Sequence, residues 1–102
     1  MSDKYILDGH NPVGCDDVLA WGRWFESHRS ERIVKQENIG DFRVSTVFLG
    51  LDHQYGDGPP LLFETMVFSR DGGGEEQERC STWDQAVAMH DRLAQPYRDA
   101  KP

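Results

Sequence analysis

Residues 43–68, RVSTVFLGLDHQYGDGPPLLFETMVF, limit what this chain can fold into more than any other stretch. Two β-favouring apolar runs flank a loop of Asp, His, Gly and paired prolines, which predicts a β-hairpin at the centre of a sheet. In the first run Phe42, Val44, Thr46 and Phe48 share one face, and Val47, Leu49 and Leu51 the other. In the second, Leu61, Phe63, Thr65 and Val67 share one face, and Leu62, Glu64, Met66 and Phe68 the other. Apolar residues on both faces predict strands covered on both sides, or covered on one and adhesive on the other. Symmetry about Gly56 sets Glu64 roughly opposite Phe48.

The flanking segments read as cover for that sheet. KYIL at residues 4–7 predicts an edge strand, stopped by the dense turn signal Asp8-Gly9-His10-Asn11-Pro12. Val18, Trp21, Phe25 and His28 fall at helical spacing, and Asp16 or Asp17 suits the first turn by capping and dipole complementarity. Gly22 inside that pattern costs about 1 kcal/mol against Ala, which points to a close approach of this helix to the sheet. ERIVKQE at 31–37 reads as a strand that turns at 38–41 into the hairpin. After Gly72-Gly73-Gly74, residues 76–80 predict an exposed edge strand whose charges discourage edge-to-edge pairing. Thr82 and Gln85 form a capping box with Asp84 in the first turn. Trp83, Ala86, Val87, His90, Leu93 and Ala94 give that helix its apolar stripe. Pro96 is expected to end it, leaving 97–102 as a tail. The expectation is one α+β domain over residues 1–102: a four-stranded antiparallel meander with two helices packed on one face, in the order β-α-β-β-β-β-α.

Charge narrows the partners. The chain of 102 residues carries 18 acidic and 11 basic side chains, a formal charge of −7. Nucleic-acid binding normally needs a clustered basic face, and the nearest approach to one, Arg29, Arg32 and Lys35, is diluted by Glu31 and Glu37. Direct nucleic-acid binding and attachment to an anionic membrane are therefore not expected. A basic partner, or mimicry of a polyanion, is compatible with the charge. Cys15 and Cys80 lack C-x-x-C spacing and read as two reduced thiols. The N-terminal MSDKYILDGH has no charged-then-apolar leader pattern, and no apolar run approaches spanning length. The expected setting is cytoplasmic and soluble.

The loop at 52–60 gathers polar groups near the sheet centre. One reading is a carboxylate–imidazole site made of Asp52, His53 and Glu64, serving a metal- or ligand-binding domain or a hydrolase. The other is turn chemistry, with Asp and Gly supplying turn conformations and Pro59-Pro60 stiffening the approach to the next strand. His10, His28, His53 and His90 show no metal-ligand spacing. His28 and His90 fall on helix inner stripes, where a hydrogen-bonded core histidine is the ordinary outcome. No catalytic residue, metal or cofactor is assigned. Trp24 is displaced from Trp21 and Phe25, so it either anchors a partner or covers the sheet edge.

Three blocks in this order, VSTVFLGLDH at 44–53, PPLLFETMVF at 59–68 and CSTWDQAVAMH at 80–90, resemble a family of small proteins of tailed bacteriophages and prophages. Cys80 stands where an aromatic is expected in that pattern. The resemblance implies an accessory protein working in the bacterial host cytoplasm, and it transfers no catalytic residue. By analogy with small acidic phage proteins, the expected action is protein–protein binding, in its most concrete form an anti-CRISPR-like inhibitor of a bacterial defence complex. The candidate contact surface is Trp24, Asp52, His53, Tyr55 and Glu64, with Asp71, Glu75, Glu76 and Glu78 as carboxylates suited to a basic groove. A homodimer and a virion-associated structural role are further expectations.

Overall fold

The computed structural model describes residues 3–100. In chain order the elements are β1 (Tyr5–Asp8), β2 (Asn11–Gly14), α1 (Val18–Ser27), β3 (Ile33–Ile39), β4 (Phe42–Phe48), β5 (Phe63–Ser69), β6 (Gly74–Cys80) and α2 (Trp83–Ala100). Strands β3 to β6 form an antiparallel meander in sequence order, and both helices lie toward one of its faces. The fold is α+β.

Register decides which residues that face carries. Phe48 pairs with Phe63, Thr46 with Thr65 and Val44 with Val67, and residues directly opposite in an antiparallel ladder point the same way. Glu64 therefore opposes Val47 rather than Phe48, a correction of one residue to the hairpin symmetry. A one-residue slip sends a whole strand's side chains to the other face. The observed pairing keeps the apolar set together and turns Glu64 outward. Beneath α2 the core runs in layers. Phe48, Leu62, Phe63 and Ala86 join Leu7 in one apolar cluster, and Ile39, Val44, Val67 and Ala94 form a second. Between them lie Thr46, Thr65 and His90, all with 0% exposure.

Helix α2 starts as its capping box requires: Gln85 N donates to Thr82 Oγ1 (3.1 Å), and Thr82 N to Gln85 Oε1 (3.2 Å). Pro96 does not end it. The helix continues through Ala100, because its last turn is anchored by Tyr97 against the Phe42 ring (4.6 Å) and by Arg98 on Glu37. The expected tail is thus helical as far as Ala100, and its last two residues lie outside the described ones.

The N-terminal segment departs further from expectation. KYIL is not an edge of the main sheet. It pairs as β1 with β2 and is joined to the chain after β4 by a bridge from Lys4 to Leu51. Pro12 sits inside β2, which has β1 as its one ladder partner; an edge strand tolerates the missing N–H. His10, in the turn between them, stacks on Trp83 at the start of α2, with rings 3.7 Å apart and 3° from parallel.

Helix α1 is capped by Asp17, whose Oδ1 accepts from Leu19 N (3.0 Å) and Ala20 N (3.2 Å). No residue of α1 is fully buried; it closes one end of the sheet through its aromatic side. Trp24 meets Phe48 edge-on at 5.9 Å, and Trp21 Nε1 donates to the carbonyls of Tyr5 and Gly50, each at 3.1 Å. The close approach expected of Gly22 occurs elsewhere: Gly22 faces open space, whereas a Cβ on Gly50 would lie 2.8 Å from the Phe25 ring. Gly50 also has φ of +76°, a left-handed conformation that disfavours side chains.

The opposite face of the meander carries no helix. Its polar side chains lie across the strands and bond one another: Gln36 to Ser45 (3.0 Å), Arg43 to Gln36 (2.9 Å), and Arg79 (2.9 Å) and Gln77 to Glu64. Val47, Met66 and Phe68 fill the ground between them, each half-buried.

Candidate functional site

The chain from β4 to β5 is a loop that is tied from within. Leu49 N donates to Leu62 O (2.7 Å) and His53 N to Leu61 O (3.0 Å), so the ends are held together. Asp52 Oδ1 accepts from Gln54 N (2.8 Å) and Leu61 N (3.0 Å), spanning the base. Gln54 folds under the loop and donates from Nε2 to Pro59 O (3.3 Å). It fills the space beside Gly58, where a Cβ would lie 2.5 Å from that nitrogen. The residue left over is Tyr55, which projects from this base 92% exposed. A phenol ring held in water on a closed loop buries nothing for the fold, and Tyr is a preferred anchor residue at protein interfaces.

The remaining candidates separate. Asp52 is a backbone clamp, the turn-chemistry reading of that residue. Glu64 lies on the helix-free sheet face, 12% exposed, bonded to Arg79 and Gln77. Asp52, His53 and Glu64 are not drawn into one site, and among the described residues no group of three His, Cys, Asp or Glu side chains is placed to hold a metal ion. Of the two expectations for Trp24, the contacts seen are those of a sheet cover: its ring meets Phe48 edge-on and stacks on His28 at 4.8 Å. The carboxylates near β6 are largely engaged. Asp71 accepts from Ser69 Oγ and Gly73 N (3.1 Å) in the β5–β6 turn, Glu76 from Tyr97 Oη (2.6 Å), and Glu78 from Arg92. Glu75 is exposed beside them.

Sequence reading placed His90 in the core but missed what it does there. Its Nδ1 lies 2.7 Å from Thr46 Oγ1 and its Nε2 3.1 Å from Glu37 Oε1, while Thr46 Oγ1 also bonds Thr65 Oγ1. A carboxylate only accepts, so Nε2 carries a proton toward Glu37; in the neutral ring Nδ1 then accepts from Thr46, which accepts from Thr65. Arg98 donates to Glu37 twice, at 2.8 and 2.7 Å. Those guanidinium bonds are the main cause of a Glu37 pKa pushed down to about 2, with the His90 bond adding to them against the opposing effect of burial. Hydroxyl, imidazole and carboxylate in a line have the connectivity of a nucleophilic relay. Here both hydroxyls and the imidazole are fully buried, so no substrate atom reaches them and the chain holds α2 to the sheet. The Cys80 thiol is likewise unsuited to attack, since burial pushes its pKa up.

Both cysteines are free thiols. A depression of about 660 Å³ lies between the two hairpin turns, lined by Phe42, Arg43, Phe68 and Arg70 among others, and it contains none of the candidate residues. No described helix is long and apolar enough to cross a membrane. Compared with protein-family models, with curated proteins and with solved structures, the chain matches nothing in any of the three.

Proposed function

We propose that the chain acts by binding a protein, with Tyr55 as the anchor of the contact, as a phage-type accessory factor that inhibits a bacterial defence complex in the host cytoplasm. The observation that carries this reading is the combination at residues 52–61. Asp52, His53 and Gln54 tie the loop into one shape, and the large side chain it presents is 92% exposed. Ordering the loop in advance removes part of the entropy loss that binding would otherwise incur. A protruding tyrosine supplies contact area at the cost of few rotatable bonds. The formal charge of −7 suits a basic partner surface and would speed encounter with one. Catalysis has no comparable support, because the hydroxyls and imidazole of the Thr65–Thr46–His90–Glu37 chain are buried in the core.

The test is to express the chain in bacteria with an active CRISPR–Cas or other nuclease defence and measure phage plaquing. The wild-type chain raises plaquing efficiency, and Tyr55→Ala abolishes the rise while leaving thermal stability within about 0.5 kcal/mol. Plaquing that the chain leaves unchanged across the defence types tried would end the anti-defence reading. A Tyr55→Ala protein as active as wild type would end the role of the loop.

A further inference from the structure

Two positive charges between α1 and β3 have no counterpart in the chain. Lys35, Arg70, Arg79, Arg92 and Arg98 each rest on a carboxylate. Arg29 and Arg32 pair with no carboxylate among the described residues, although the chain has 18 acidic residues. Glu31, between them in sequence, bonds Ser30 Oγ (3.2 Å) instead. The two guanidiniums lie close enough to repel: burial, and after it the Arg29 charge, holds Arg32 below its ordinary pKa. The end of α1 does not balance them. Its dipole supplies about half a negative charge, and Arg23 O and Trp24 O already accept from Ser27 Oγ at 2.7 and 3.2 Å.

Arg32 is also fixed in position. Its N donates to His28 O (3.2 Å) and its O accepts from Phe48 N (2.7 Å), which ties its backbone to the end of α1 and to β4. Its guanidinium carbon lies 3.6 Å from the centre of the Phe25 ring, and that ring is lodged against Gly50, 2.8 Å from where a Cβ would stand. Arg32 Nε is buried, and no described atom accepts from it. A buried donor without a protein partner is uncommon in a folded chain, and the Nη nitrogens are left as the free donors of this half-buried group. We infer that Arg29 and Arg32 form a binding site for the phosphate group of a small molecule. Two neighbouring positive charges match a phosphate monoester, which carries about −1.5 to −2 near neutral pH. One carboxylate would leave a positive charge unbalanced. A guanidinium stacked on an aromatic ring presents its donors as a rigid fork suited to phosphate oxygens. The site does not rest on the role of Tyr55.

Titrating the full chain with inorganic phosphate and with glycerol phosphate, at constant ionic strength, tests this through the NMR signals of arginine Nε–H and indole N–H groups. The Arg32 Nε–H and Trp21 indole signals are expected to shift along a saturable curve with a Kd of about 1 mM or below. Trp21 reports because its ring lies 5.0 Å from that of Phe25. Arg29→Gln, at an exposed position, should weaken binding about tenfold or more while native dispersion is kept. Arg32→Lys, which retains the charge and loses the fork, should do the same. Whichever phosphate binds more tightly identifies the source, free or esterified. Shifts that grow linearly, or that a matched chloride titration reproduces, overturn the inference. So does an Arg29→Gln protein that binds as the wild type does. A single-stranded oligonucleotide bound at least about tenfold more tightly than the ester also overturns it, because the pair would then be a polymer contact.

Discussion

Glu37→Gln isolates the strongest electrostatic tie between α2 and the sheet. The wild-type carboxylate accepts from Arg98 Nε and Nη2 and from His90 Nε2, at 2.8, 2.7 and 3.1 Å. The amide that replaces it has one acceptor oxygen and turns an NH₂ group toward donors, so at least one buried or half-buried donor loses its partner. The Glu37 carboxyl is held at about 2 against an ordinary value of 4.5. That displacement corresponds to about 3 kcal/mol. Partial exposure of both partners, 24% for Glu37 and 26% for Arg98, reduces the expected effect to about 2 kcal/mol. For a chain of this size it amounts to a fall in Tm of about 10 °C.

The sign of the pH dependence follows from the depressed pKa. The folded protein binds the Glu37 proton more weakly than the unfolded chain does. The contribution is therefore complete above pH 4.5 and drains away as pH falls toward 2. Urea unfolding followed by tryptophan fluorescence, at pH 7 and at steps down to about pH 3, should show a gap between wild type and variant that narrows on acidification. A variant within about 0.5 kcal/mol of wild type at pH 7, or a gap as wide at pH 3 as at pH 7, would refute the assignment of Glu37 as the tie.

Two further outcomes are open to measurement. Gly50→Ala should destabilise by about 2 kcal/mol or more, through its left-handed backbone and the clash with Phe25. Gly22→Ala, on an open helix surface, should gain about 0.5 to 1 kcal/mol; thermal melts moving in the same direction for both would contradict the packing of α1. The Glu76 carboxylate, by its hydrogen bond, pushes the Tyr97 phenol up to about 12 from an ordinary 10. Stability from the neutral phenol is thus kept below pH 10 and lost as pH rises through 12. Ultraviolet titration should show one late tyrosine that Glu76→Gln brings back, and a titration unchanged by that substitution would remove the bond.

The fold was legible where local chemistry and burial agree. Thr82 with Gln85 marked the start of α2, Asp17 the start of α1, and the two apolar runs the central hairpin. Register was less legible, because symmetry about Gly56 and the burial of Phe63 differ by one residue, and burial of the larger apolar set prevails. Strand β2 was hidden by Pro12 within a turn-rich string, since pairing that needs an N–H on one side alone leaves no signature in a single sequence. Pro96 misled for the opposite reason: Tyr97 and Arg98 recover in tertiary contacts what the proline removes locally. At the loop, composition located the segment but not its hierarchy. Asp52 and His53 had the chemistry of a site, and the geometry made Asp52 a clamp and left Tyr55 to face solvent. Glu37 was read only as a charge diluting nearby bases, because nothing between residues 37 and 98 announces that they meet.

The layer of Thr46, Thr65 and His90 between two apolar clusters has a consequence for uniqueness. An apolar stripe on a helix can settle on an apolar sheet at several offsets of similar energy, one turn forward or back. With His90 placed between a threonine and a glutamate, sliding α2 by one turn would strand an imidazole and two hydroxyls in the dry interior and pull Arg98 from its carboxylate. Each stranded group would cost about 1 to 3 kcal/mol, so every offset but one is penalised. The polar layer thus serves as an address: it adds little to the attraction that brings helix and sheet together, and settles where along the sheet the helix stops.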